Sequence, residues 1–188
     1  MLKKVGILGV ITLLIVACGS EPLPKKKPYL TLKYPSSTYV KTASNCLYNF
    51  EYFINANINF QNNCWAKIEY PKLKATVHIT YRSVNNNLNE ILKEVEKLTY
   101  EHTIKADAIP SALPYENYKK KVFAKLYNVE GNVASNVQFM ATDSIKHVLA
   151  GSLYFYAKPN YDSIVPAIKY IEKDIIHLIE TIEWKNDN

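Results

Sequence analysis

The sequence predicts an α+β domain, a mainly antiparallel sheet with a middle helix and a long C-terminal helix packed on it. Three patterns carry that reading. Between Lys74 and Tyr81, Ala75, Val77, Ile79 and Tyr81 point one way and Lys74, Thr76, His78 and Thr80 the other, the signature of a half-buried strand. Leu88, Ile91, Leu92, Val95 and Leu98 fall on one stripe at helical spacing. Ile164, Ile168, Ile171, Ile175, Leu178 and Ile182 recur at three- and four-residue steps, which predicts a long helix lying across the sheet. With 188 residues and 48% hydrophobic content the chain can bury a core of its own. No fixed-period repeat points to a solenoid.

The first residues read as a signal rather than as fold. Lys3 and Lys4 precede an apolar run from Val5 to Ala17, too short for the roughly 20 residues that span a bilayer. Ile15-Val16-Ala17-Cys18 resembles a bacterial lipobox, in which the cysteine thiol takes a diacylglyceryl group and becomes the new N-terminus. Cys18 is therefore the candidate lipidation site, and two or more acyl chains on one residue anchor stably. An ordinary cleaved signal with an incidental Cys18 is the competing reading. Three segments follow: a lipoprotein signal at 1–17, a lipidated polar linker at 18–28, and a single globular domain at 29–185.

Charge is modest. The formal +6 falls by two when Lys3 and Lys4 leave with the signal, and such a balance does not predict a nucleic-acid partner. Lys25-Lys26-Lys27 lies between Pro24 and Pro28 in a stiff, extended linker, facing an acidic membrane surface or water. Lys119-Lys120-Lys121 reads as a solvated loop. With Cys18 used by lipid, Cys46 and Cys64 remain, and an even remainder in an exported chain predicts a disulfide; two buried thiols are the alternative.

Along the domain, Tyr29 to Tyr34 alternates and stops at Pro35. Tyr48 to Phe53 and Cys64 to Tyr70 read as strands, with a hairpin turn at Pro71 before the strand at 74–81. Asn87 is placed to cap the middle helix, with Glu90 in a capping-box position. Residues 107–119, with Pro110 and Pro114, read as a surface loop. Val122 to Val129 and Val133 to Ala141 flank a turn at Gly131-Asn132, and His147 to Tyr156 is apolar on both faces, as a central strand is. Asp162 or Ser163 is the expected cap of the last helix, with Pro166 in its first turn.

Chemistry is sparse. His78, His102, His147 and His177 include no pair at helical metal-ligand spacing, and no metal or cofactor is predicted. Asp143, Ser144 and His147 are triad residue types confined to one turn, without a nucleophile elbow, so no catalytic residue is assigned. His177, beside Asp174 and Glu180, reads as a surface residue. The densest polar cluster ends the middle helix: Glu101, His102, Lys105 and Asp107. They are candidates for a partner-binding edge, or simply a helix terminus with His102 and Lys105 at its negative end. The 15 tyrosines suit strands and interfaces, and also a glycan-binding surface.

Several segments carry a resemblance. Cys18-Gly19, Pro24 with its lysines, Tyr29-Leu30 and Tyr34-Pro35 resemble the start of the GldD family of gliding-motility lipoproteins. So do Asn63-Cys64-Trp65, the run from Tyr70 to Thr76, the run from Val84 to Leu88, and the run from Tyr100 to Asp107. The run from Pro159 to Ser163 and the ending from Ile182 to Lys185 complete the likeness. It covers nearly the whole chain, and the loop at 107–119 is its variable part. The resemblance implies a cell-envelope lipoprotein, membrane-anchored and facing the periplasm. It would work with other gliding-motility lipoproteins beside the type IX secretion apparatus, without catalytic residues. The alternative is a periplasmic lipoprotein binding a cell-wall glycan or small ligand, which a deep aromatic pocket with converging polar groups would favour; a shallow apolar patch would favour an assembly component. The two strand blocks, each followed by a helix, are similar to the Mog1/PsbP-like sandwich, a likeness of fold alone.

Overall fold

The structure is a computed structural model; it describes residues 34–101, 106, 112–156 and 160–185. The strand expected at 29–34 lies, but for Tyr34, outside the described residues. Eleven strands and two long helices are described: β1 Tyr39–Lys41, β2 Tyr48–Asn49, β3 Glu51–Phe53, β4 Asn57–Phe60, β5 Ala66–Tyr70, β6 Ala75–Ser83, α1 Leu88–Glu101, β7 Leu113–Asn117, β8 Val122–Asn128, β9 Ser135–Thr142, β10 His147–Phe155, α2 Tyr161–Thr181 and β11 Glu183–Trp184. Seven strands form one sheet in the order β4-β5-β6-β10-β9-β8-β7, antiparallel at every pairing. Two small ribbons, β1 with β3 and β2 with β11, complete the structure. This is the α+β architecture that the alternation and the two apolar stripes predict.

The alternation decides which face is buried. Val77 and Ile79 of β6, Val137 and Phe139 of β9, and Leu149 and Leu153 of β10 enter the core with Ile171, Ile175 and Leu178 of α2. Burying aliphatic side chains of this size contributes about 1.5–3 kcal/mol each. Tyr48, Phe50 and Phe53 close the same core from the lead-in segment. The strand β10 is central, between β6 and β9, as its two apolar faces predict. Cys46 and Cys64 are joined in a disulfide, with Cα atoms 5.5 Å apart.

Several boundaries differ from expectation for local reasons. The expected strand Tyr48 to Phe53 is split, because Tyr48 and Asn49 pair with β11 whereas Glu51 to Phe53 pair with β1. At the break, Thr42 N–H donates to Phe50 O at 2.9 Å and Phe50 N–H donates to Thr42 Oγ1 at 3.2 Å. Cys64 sits before β5, with φ of 60° and its N–H on Gln61 O at 2.9 Å. The turn at Pro71 is a short 3-10 turn over Pro71–Leu73, closed by Lys74 in the left-handed region at φ 50°. Asn87 precedes α1 and its carbonyl accepts from Glu90 and Ile91, but its Oδ1 accepts from Asn85 N–H at 2.9 Å. Its side chain therefore closes the approach turn.

The 107–119 segment is not all loop. Leu113 to Asn117 form β7, an edge strand on β8. Pro114 is compatible with this place because an edge strand tolerates a missing donor. The last helix starts at Tyr161, and Asn160, not Asp162 or Ser163, stands at its N-cap. The Tyr161 N–H is capped from a distance by Asn132 Oδ1 at 2.8 Å, and Pro166 lies one turn further in than expected.

Candidate functional site

The turn after β9 spends its chemistry on itself. Asp143 Oδ1 accepts the N–H groups of Ile145, Lys146 and His147 at 2.9, 2.8 and 2.8 Å. Ser144, at φ 66°, is exposed. His147 turns inward, its Nδ1 2.9 Å from Tyr81 Oη and its ring stacked on Trp184. These three residues hold a turn and a C-terminal ribbon.

Of the predicted partner edge, Glu101 is described: it is exposed at the end of α1 and 3.7 Å from Lys97, one helical turn back. His102, Lys105 and Asp107 lie outside the described residues.

His177 is not a plain surface residue. Its Nε2 lies 2.8 Å from Glu51 Oε2, and its ring stacks on Tyr39 at 3.7 Å between centroids. One turn earlier on α2, Asp174 is buried, accepting from Ser37 Oγ at 3.1 Å and Tyr39 Oη at 2.9 Å. Burial pushes the Asp174 carboxyl above the ordinary aspartate range, against those hydrogen bonds. The cluster fastens the chain entering the domain to the C-terminal helix.

A concavity lies on the other face of the sheet. Helix α1 packs there through Ile91 and Thr99, its buried residues, and leaves a half-open groove of about 470 Å³ at one side. The floor is set by strand register: Ser152 of β10 stands opposite His78 of β6 and opposite Gln138 of β9, so the three side chains form one row. Thr80 lies one alternation along β6 and also lines the groove. Trp65 and Tyr154 stand at its flanks and Leu98 of α1 above it. The Trp65 indole N–H donates to Tyr81 O at 3.3 Å, which fixes the ring while 42% of the residue stays exposed. Tyr154 meets His78 edge-on at 5.4 Å. Arg82 and Glu94, paired at 2.6 Å, bridge sheet and helix at the rim. Burial, then the Lys67 charge, pushes the His78 imidazole below its ordinary pKa, so the ring is neutral near pH 7.

Sequence reasoning placed His78 and Thr80 on a polar face and stopped there. The signal that could have exposed the groove is the register of three strands, which no single window of sequence contains. Among the described residues no group of three or more His, Cys, Asp or Glu is placed to hold a metal ion, and no helix is long and apolar enough to cross a membrane.

Comparison with known proteins places the chain. Residues 19–184 match the family model described as gliding motility lipoprotein GldD. No curated protein matches. Among solved structures, the chain is similar to the solution structure of cyanobacterial PsbP (CyanoP) from Synechocystis sp. PCC 6803. The two are 7% identical with a TM-score of 0.49, over 86% of this chain and 99% of that one, too distant to bear on function. The chain belongs to the GldD family of gliding motility lipoproteins.

Proposed function

We propose that this GldD-family chain is a non-enzymatic component of the gliding machinery, held at the membrane by lipid on Cys18. The observation that carries the proposal is the family match, which starts at the residue after Cys18 and runs to the last strand. The lipobox-like Ile15-Val16-Ala17-Cys18 and the Pro- and Lys-rich stretch behind it support it. In this reading residues 1–17 are removed as a signal, 18–28 form the tether, and the domain at 29–185 faces the periplasm. The domain acts by contact, as an assembly or stabilising component with other gliding lipoproteins and the type IX secretion apparatus. Glu101, His102, Lys105 and Asp107 border the docking edge, where charges of both signs fix partner choice.

The test has two arms. Cys18→Ser is expected to release the protein from membranes or leave an unprocessed precursor, and to abolish gliding; normal membrane partitioning overturns the anchor. Charge reversal at Lys105 and Asp107 is expected to abolish gliding and crosslinking to partner lipoproteins with an unchanged melting temperature. A lowered melting temperature with crosslinking intact assigns the cluster to helix termination instead.

A further inference from the structure

The groove beneath α1 has a composition that the assembly role does not use. Its floor carries four uncharged polar side chains, Thr80, Ser152, Gln138 and a neutral His78, within a lining that is mostly apolar. Gln138 is 4% exposed, and its Nε2 has no hydrogen-bond partner among the described residues. An unpaired buried amide costs about 1–3 kcal/mol; this Nε2 is covered, so a bound acceptor offsets the cost with a turn of the Gln138 side chain. The flanks are two aromatic rings, Trp65 and Tyr154, each held by a neighbour. The charged groups at the rim, Arg82 and Glu94, neutralise each other.

We propose that this groove binds an uncharged saccharide, one sugar ring lying against Trp65 or Tyr154 with its hydroxyl or acetamido groups over the Gln138–Ser152–His78 row. A sugar ring has apolar C–H faces that fit aromatic rings and a rim of neutral donors and acceptors that fits this floor. The volume, about 470 Å³, lies within the usual range of small-ligand sites. An acyl chain fits less well, because it would cover the polar floor and offer the Gln138 amide no acceptor. A peptide adding as a strand needs a free sheet edge, whereas the floor strands β6, β10 and β9 are interior and paired on both sides. The groove reading and the docking-edge reading rest on different residues, so each is tested on its own.

Titration of the isotope-labelled domain with chitotriose and with cellotriose, followed by NMR, tests the proposal. One of these neutral probes is expected to move the Trp65 indole and Gln138 side-chain amide signals together. Gln138→Leu and Tyr154→Ala should each weaken that binding by at least about tenfold. Gln138→Leu should do so without lowering the melting temperature, because it removes an unpaired buried amide, a combination a purely structural role would not produce. The proposal is overturned if neither probe moves the groove signals, if the shifts survive in both variants, or if only an apolar peptide moves them. Loss of gliding in Cys18→Ser with saccharide binding retained would leave both readings standing; saccharide failure there would remove this one alone.

Discussion

The Tyr39 hydroxyl donates a 2.9 Å hydrogen bond to Asp174, which lies 135 residues further along the chain. Ser37 donates to the same oxygen at 3.1 Å, and the Tyr39 ring stacks on His177. The chain entering the sheet is thus held to the C-terminal helix by a buried carboxylate, together with the Tyr34–Tyr170 stack and the Tyr170 hydroxyl, which donates to Pro35 O at 3.2 Å.

Asp174 should leave a mark on the pH dependence of stability. Burial raises its folded-state pKa above the unfolded value, about 3.9 for an aspartate. The stabilising share is therefore complete below the unfolded pKa and is lost as pH rises through the folded one. Asp174→Asn should flatten this part of the profile and be relatively most stable, against the parent, near pH 7. Melting temperatures between about pH 3 and 7 measure it, and an unchanged slope in the variant would contradict it.

Gly151 is required by its neighbour. It stands opposite Phe139 across β10 and β9, and a Cβ there would lie 2.1 Å from Phe139 Cε1. The ring takes the space a side chain would fill. Gly151→Ala should cost about 1–3 kcal/mol through overpacking. Phe139→Leu in the same chain should recover part of that loss, giving a coupling energy in a double-mutant cycle of urea unfolding. Additive losses would show that the two positions do not touch.

The large sheet was legible where one strand could show its own period. The strands β6, β8, β9 and β10 each alternate or stay apolar over most of their length, and both helices carry apolar stripes. What escaped depends on partners distant in sequence. The strands β1 and β11 have three and two residues, too few for a period, and exist through pairing. The strand β7 was hidden by Pro114, tolerable only because its position is an edge. His177 reads as exposed until Glu51, 126 residues away, is placed against it. The groove is the extreme case: His78, Ser152 and Gln138 are each ordinary polar residues in strands, and only the registers make them one row.

The disulfide should carry stability rather than chemistry. It links positions 18 residues apart and ties the segment before β2 to the turn before β5. Replacing both Cys46 and Cys64 by serine should lower unfolding free energy by about 3 kcal/mol, on the loop-entropy account. Reduction of the parent protein should lower the melting temperature in the same direction. An unchanged denaturation midpoint on both tests would remove the bridge from the stabilising contacts.

The two tryptophans should separate structure from binding. Trp184 stacks on buried His147 at 5.4 Å, and its indole N–H donates to Lys121 O at 2.9 Å. It belongs to β11, which pairs with β2, so it fixes the end of the chain to the core. Trp65, by contrast, lies over the groove with much of its surface in water. Trp184→Phe keeps a ring for stacking and loses the donated bond, a cost of about 1 kcal/mol. Trp184→Ala loses both and should cost about 2–4 kcal/mol, somewhat less than a fully buried aromatic. Trp65→Ala should cost less than Trp184→Ala while abolishing saccharide-induced shifts in the groove. Denaturant unfolding of the three variants gives the order, and a Trp65→Ala loss as large as that of Trp184→Ala would make Trp65 a structural residue.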